Sequence, residues 1–127
     1  MVEKIETGGG SWQSHFLQIG SMMKVWLFLD DERYPAEKDG VSWIVFRTVE
    51  TFLSHVTEHG LSDGISFDHD LGTDKNGNDA AKGLIELFLD RVIEPKNDFT
   101  FYVHSQNPIG AANIRNTMMD LIKLMQK

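Results

Sequence analysis

The stretch Gly64–Gly72, with the sequence GISFDHDLG, decides the fold. Its first residues are apolar and follow a turn signal, so they predict a short buried strand. Two carboxylates, Asp68 and Asp70, come directly after this strand and flank a histidine. The glycine that closes the stretch lets the chain turn sharply. The pattern indicates a strand that ends in an acidic loop.

A second apolar run ends in the same way. Lys24–Leu29 is almost continuously apolar after its first residue and is followed by Asp30 and Asp31. Such runs are typical of strands that are buried on both faces of a parallel sheet. Because a reversal of strand order opens a crevice at the carboxyl edge of such a sheet, we expect Asp30, Asp31, Asp68 and Asp70 to converge there.

Converging carboxylates repel one another, so this arrangement requires a positive partner. Two of them about 4 Å apart repel by about 4 kcal/mol at an effective dielectric constant of about 20. Oxygen donors with open water positions suit Mg²⁺, and Mn²⁺ next. The sequence therefore predicts a divalent-cation site held by Asp30, Asp31 and Asp68. The competing interpretation is that these are ordinary strand-end aspartates that cap turns and face water.

The other elements alternate between strand and helix, which predicts an α/β three-layer sandwich with a small, mainly parallel, flavodoxin-like sheet of about four strands. We predict a loop over residues 32–42, a strand over 43–46, a helix between Thr48 and Gly60, a helix from Gly77 or Asn78 to about Ile93, a strand over 99–103 and a last helix from Asn107. The stripe of apolar residues on the second helix, which includes Leu89 and Val92, is expected to be buried.

Polar residues also follow the last predicted strand. His104 is a candidate general acid or base, alongside Asp68 and Asp70 as catalytic candidates. The alternative is a structural histidine that is bonded to a neighbouring aspartate. For His69, strand alternation directs the side chain away from the two flanking aspartates.

Phosphate-binding candidates lie around the start of the last helix, whose free backbone N–H groups favour anions. They are Ser105, Asn107 and Gly110. Gly110 has no side chain, so a phosphate could approach its backbone closely. Arg33, shortly after the first acidic pair, could reach a phosphate or form a surface ion pair.

Composition limits the classes of function. At 127 residues there is room for one domain, and no apolar run approaches the roughly 20 residues of a membrane span. Twelve basic residues against nineteen acidic ones give a net charge of −7, which argues against bulk binding to duplex nucleic acid. The absence of cysteine excludes disulfides and fits a reducing compartment, so a cytoplasmic location is expected.

The first 22 residues differ from the rest. A Gly8-Gly9-Gly10-Ser11 run and a later Gly-Ser-Met junction are typical of an expression leader or linker, which assigns the domain itself to residues 23–127. The alternative is a docked segment, because Trp12 and Phe16 are apolar.

The motifs resemble the receiver domains of two-component signalling. There, an acidic pair follows the first strand, a phosphorylated aspartate ends the third, and a hydroxyl residue ends the fourth. Asp30-Asp31, Asp68 and Ser105 match these positions. More closely, LDDERYP at 29–35, SFDHDLG at 66–72 and HSQNP at 104–108 resemble a divergent branch, the cyclic-phosphate-processing receiver-like domains. Two departures from ordinary receivers are a lost or reduced first helix and the absence of a fifth strand with its lysine.

The resemblance implies a metal-dependent phosphoesterase that hydrolyses or transfers cyclic or terminal phosphates on nucleotides or RNA ends. Its partner would then be a small phosphate ester or a nucleic-acid end. The alternative is a non-enzymatic receiver-like module that works through a protein partner, with Asp68 as phospho-acceptor or as a relic. A third hypothesis is a structural accessory protein, such as a small phage or plasmid product.

Overall fold

The computed structural model describes residues 23–127, and the expected leader, residues 1–22, lies outside the described residues. The elements alternate along the chain, as the sequence predicts. They are β1 (Lys24–Leu29), β2 (Val41–Phe46), α1 (Val49–His59), β3 (Gly64–Phe67), α2 (Gly77–Leu89), β4 (Thr100–Val103) and α3 (Pro108–Met125).

The four strands form one parallel sheet in the order β2-β1-β3-β4. The predicted fold class, a small flavodoxin-like α/β sheet without a fifth strand in the described part of the chain, is confirmed. The order reverses at β1, because the chain first moves from β1 to β2 and then returns to β3 on the other side. This reversal is the switch point at which α/β sheets place their ligand sites.

Each helix begins at a polar cap that the sequence supplies. Thr48 caps α1 by accepting a hydrogen bond from the N–H of Thr51, and Asn76 forms a reciprocal capping box with Asp79 at the start of α2. Asn107 caps α3, with Pro108 in the first turn. None of the three helices in residues 23–127 combines the length and the apolar character that a membrane span requires.

The main core lies on the face of the sheet that carries Leu27, Leu29, Ile65 and Phe67. All three helices pack there, with α2 between α1 and α3, because the crossovers from β2 to β3 and from β3 to β4 move in the same direction. Over residues 23–127 the helices therefore cover one face of the sheet and leave the other face without a helix.

The opposite face carries Trp26, Phe28, Trp43 and Ser66, and we call it the groove face. In the described part of the chain the β1–β2 connection contains no helix, and it lines this face through residues 35–38.

Two boundaries differ from the prediction by two residues or more. Strand β2 begins at Val41 rather than at residue 43, because Val41 pairs with Lys24 directly after the turn at Gly40. Helix α2 ends at Leu89 rather than near Ile93, because Arg91 adopts a left-handed backbone with φ of 62°.

That early end changes which side chains of the α2 stripe are buried. The N–H groups of Val92 and Ile93 fold back onto the carbonyl of Leu87. Ile93 is thereby buried, whereas Leu89 and Val92, which were predicted to be buried, are exposed.

Candidate functional site

The sheet register brings residues from three strands into one row at its carboxyl edge. Phe28 pairs with Ser66, and Ser66 pairs with Tyr102. Two residues further along each strand, Asp30, Asp68 and His104 therefore lie side by side on the groove face, and we call these three residues the acidic row. Their ligand atoms all lie within 4.8 Å of one another. The convergence of Asp30 and Asp68, which are distant in sequence, is present in the structure.

Asp30 is fully buried and accepts four hydrogen bonds. Its Oδ1 accepts from the backbone N–H groups of Glu32 and Arg33, at 2.9 and 2.8 Å. Its Oδ2 lies 3.0 Å from both Nε of Arg33 and Nε2 of His104. Burial alone would raise the pKa of Asp30, but the hydrogen bonds and the charge of Arg33 outweigh it and lower that pKa below its ordinary value. Asp30 is therefore an ionised carboxylate at neutral pH.

Arg33 spans the two buried carboxylates. Besides its bond to Asp30, its Nη2 lies 3.4 Å from Oδ2 of Asp68. The side chain of Arg33 is 46% exposed, whereas that of Asp68 is 9% exposed. The guanidinium of Arg33 thus relieves the repulsion between the two aspartates, and one side of the guanidinium is open to solvent.

His104 is held from three sides. Its ring stacks on Phe28 with centroids 4.5 Å apart and an interplanar angle of 4°. Its Nδ1 lies 2.7 Å from the hydroxyl oxygen of Ser66, opposite the contact of Nε2 with Asp30. Burial lowers the pKa of His104 below its ordinary value, against the opposing influence of Asp30.

Beside the ionised carboxylate of Asp30, these contacts favour the tautomer of His104 that carries its proton on Nε2. A neutral imidazole donates from one nitrogen only, and the carboxylate of Asp30 can only accept. Nε2 therefore donates to Asp30, and the hydroxyl of Ser66 donates to Nδ1. In this state both ring nitrogens are engaged.

The other predicted carboxylates lie outside this cluster. Asp31 is exposed, beside the positive-φ residue Gly72, and Asp70 is 70% exposed. The expectation for His69 is wrong, because its Nδ1 contacts Oδ1 of Asp70 at 3.0 Å. Alternation ceases where the strand ends, at Phe67, so it does not set the direction of a loop side chain.

The predicted phosphate-binding residues after β4 are used in capping helix α3. The N–H of Asn107 donates to Ser105 Oγ at 3.1 Å, and the N–H of Gly110 donates to Asn107 Oδ1 at 3.0 Å. The space beside Gly110 is filled by the ring of His69, which a side chain at that position would strike. The small size of Gly110 therefore serves packing, whereas Arg33 presents a half-exposed positive charge beside the acidic row.

Sequence reasoning missed Ser66 and Arg47. Ser66 lies two residues before Asp68 on the same strand, so alternation from Asp68 could have identified it. Arg47 follows β2 and donates from Nη1 to the carbonyl oxygens of Asp30 and Arg33, at 2.9 and 2.6 Å. It thereby fixes the loop that carries the Arg33 guanidinium, a role with no signal in the sequence.

Two comparisons with known proteins found a match. One solved structure, described as a trimeric coiled-coil of yeast Spc42 (amino acids 181–211) fused to another protein, has a TM-score of 0.55 and 18% identity; the match covers 81% of this chain and 76% of that one. That similarity bears on the fold alone. No curated protein matches the sequence. The model of the cyclic-phosphate processing receiver domain matches residues 25–120, which include the whole acidic row and Arg33. The chain therefore belongs to the family of cyclic-phosphate processing receiver domains.

Proposed function

We propose that the row formed by Asp30, Asp68 and His104 processes cyclic or terminal phosphates on nucleotides or RNA ends, by hydrolysis or transfer, with a divalent cation. The observation that carries this proposal is the meeting of two buried carboxylates and an imidazole within 4.8 Å, beside a half-exposed arginine. The family to which the chain belongs is described as one of cyclic-phosphate processing, which supports a phosphate-related role.

The donor set fits a divalent cation. One oxygen of Asp30 and one of Asp68 are occupied by backbone N–H groups, which leaves Oδ2 of each facing the guanidinium of Arg33. Two carboxylate oxygens suit Mg²⁺, and an added imidazole nitrogen favours Mn²⁺. Asp30, Asp68 and His104 would hold the ion, which would supply Lewis acidity and a bound water of lowered pKa.

Ser66 supports that fit. A histidine that binds a metal through Nε2 carries its proton on Nδ1 and donates it to a neighbouring acceptor. The Ser66 hydroxyl oxygen, 2.7 Å from Nδ1 of His104, can accept as well as donate. The residues around His104 are thus compatible with both tautomers, without any rearrangement of the ring.

Arg33 is the residue that would bind the phosphate. Its guanidinium is planar and always charged, and it matches the oxygens of a phosphate group in pairs. Because its side chain is 46% exposed and already reaches both aspartates, it can bind an anion at the row without burying a new charge. With a cation at the two carboxylates and a phosphate at Arg33, the positive and negative charges of the site would balance.

The test is an assay of 2′,3′-cyclic AMP hydrolysis with Mn²⁺, with Mg²⁺ and with a chelator. We expect turnover that requires the cation and falls at least about a hundredfold in Asp68→Asn, which removes one charge and keeps the shape. Asp120→Asn, an exposed aspartate of α3, is the matched control and should retain full activity. Activity that survives in Asp68→Asn or in the chelator would overturn the proposal.

A receiver-like module phosphorylated on Asp68 is the second candidate. It is favoured by the position of Asp68 at the end of β3 and by Nη2 of Arg33, which places a cation beside it as the fifth-strand lysine does in ordinary receivers. Incubation with a small phosphodonor such as acetyl phosphate, followed by intact mass measurement, tests this candidate. An added phosphoryl group that Asp68→Asn abolishes would support it, and an unchanged mass would exclude it.

A further inference from the structure

A groove runs down the sheet from the acidic row. It has a volume of about 490 Å³, within the range of small-molecule sites, and its lining lies wholly within the described residues. Its walls include Trp26, Phe28, Trp43 and Tyr102, and Ser66 and His104 line it as well. The groove belongs to the groove face, the side opposite the three packed helices.

The groove is continuous with the candidate site. The row that contains Phe28, Ser66 and Tyr102 lies two residues, or about 7 Å, below the acidic row on the same face. His104 belongs to both, because it lines the groove and contacts Asp30. Its ring stacks on Phe28, which extends an aromatic surface from the acidic row into the groove.

The walls of the groove suit a flat ring. Trp43 stands edge-on to both Trp26 and Phe28, with centroids 5.8 and 5.7 Å apart. Tyr102 on β4, which lines the same groove, is 62% exposed, so its ring is accessible. Aromatic rings that are held in place and accessible are the feature on which nucleic-acid bases stack without a demand for sequence.

Polar atoms in the walls favour a heteroaromatic ring over an alkyl chain. Nε1 of Trp43, whose ring lines the groove, is buried and has no hydrogen-bond partner in the described part of the chain. Such an unpaired donor is costly, and it would be satisfied if the Trp43 ring turned towards an occupant that carries ring nitrogens or carbonyl oxygens. The hydroxyl of Ser66 and the ring of His104 add polar groups at the end of the groove nearest the acidic row.

We propose that this groove binds the base of a nucleoside phosphate whose phosphate lies at Arg33 and the acidic row. The inference rests on the proposed function for its phosphate end, and it names the substrate class: phosphate esters that carry a planar base, not bare or aliphatic ones. Tyr102 and Trp43 are the residues that confer this specificity. Phosphate and base would occupy adjoining parts of one face of the sheet.

Binding of adenosine, which has no phosphate, tests the groove apart from the chemistry. We expect calorimetric titration to show binding to the wild type, with a change in tryptophan fluorescence because Trp26 and Trp43 line the groove. Tyr102→Ala should weaken binding about tenfold, whereas Tyr102→Phe, which keeps the ring, should stay within about threefold. Met119→Ala, which truncates an exposed apolar residue of α3, is the control and should bind like the wild type.

Hydrolysis of phosphate esters with and without a base then distinguishes the groove inference from the proposed function. If adenosine binds in a Tyr102-dependent way but 2′,3′-cyclic AMP is never hydrolysed, the groove stands and the proposed function fails. If glycerol 1,2-cyclic phosphate, which has no base, is hydrolysed with the same kcat/KM as 2′,3′-cyclic AMP, the groove inference fails and the function stands. The inference is also overturned if adenosine does not bind, if Tyr102→Ala binds it equally well, or if sedimentation shows that Tyr102→Ala dissociates a dimer formed through this face.

Discussion

Nε2 of His104 lies 3.0 Å from Oδ2 of Asp30, although 74 positions separate the two residues along the chain. The contact follows from the sheet register, because β3 lies between β1 and β4 and aligns the residue that follows each strand. The N–H of Asp68 donates to Leu29 O and that of His104 to Phe67 O, both at 2.9 Å, so the ladder extends into the row. The site is therefore a direct product of the parallel topology.

The first prediction concerns the stability that Asp30 provides. Asp30→Ala leaves two backbone N–H groups and two side-chain donors without their acceptor in a buried place. We expect a loss of about 2–4 kcal/mol in the free energy of unfolding, measured by urea denaturation. The control is Asp31→Ala, where the neighbouring carboxylate is exposed and the loss should stay within about 0.5 kcal/mol. Equal losses in the two variants would contradict the account.

Much of this arrangement could be predicted from the sequence, because it depends on local rules. The apolar runs, the cap at Thr48 and the pair Asn107-Pro108 specify the elements, and the fold class follows from their alternation. Asp30 and Asp68 could be paired because each directly follows a strand, and parallel strands end at one edge.

The remainder depends on tertiary contacts. Nothing in the sequence shows that Arg33 turns back to both aspartates, since that depends on the path of an irregular loop. Asp70 is exposed because the chain has left the strand by that point, and the backbone at Arg91 ends helix α2 before the apolar pattern does. These features depend on the backbone conformation of loops, which the periodicity of apolar residues does not determine.

The second prediction concerns competition between Arg33 and a metal ion. Arg33→Met removes the cation that now pairs with Asp30 and Asp68, so Mn²⁺ should bind about five- to tenfold more tightly, as expected for one half-exposed ion pair worth about 1 kcal/mol. Binding of inorganic phosphate should weaken in the same variant. Calorimetry measures both, with Arg115→Met, an exposed arginine of α3, as the control. Weaker Mn²⁺ binding in Arg33→Met would be the wrong sign for this account.

The third prediction concerns the packing of helix α2 beneath the acidic loop. A side chain at Gly77 would strike the backbone carbonyl of Asp68, which cannot move without displacing the strand end. Gly77→Ala should cost about 1–3 kcal/mol in stability. Gly83→Ala, in the same helix, meets only the flexible end of Leu53 and should be neutral or stabilising by up to about 1 kcal/mol. Thermal unfolding of the two variants compares them, and a tolerated Gly77→Ala would show that the helix does not support the row.

The fourth prediction concerns pH. Burial, aided by electrostatic repulsion from His59, lowers the pKa of His55 to about 4, against about 6.5 in the unfolded chain. As the pH falls, the unfolded chain takes up this proton first, so the stability present above pH 6.5 declines between about 6.5 and 4. His55→Gln should reduce the pH dependence of the free energy of unfolding by up to one proton taken up on unfolding. Urea unfolding across that pH range measures this dependence. An unchanged pH dependence in the variant would refute the assignment.

The central claim is that Asp30 and Asp68, 38 positions apart in sequence, serve one cation and one phosphate. The most direct measurement is calorimetric titration of Mn²⁺ into the wild type, Asp68→Asn and the exposed-site control Asp120→Asn. The account predicts one ion per chain in the wild type and in the control, with binding weakened at least about tenfold in Asp68→Asn. Equal Mn²⁺ affinity and stoichiometry in all three proteins would contradict it.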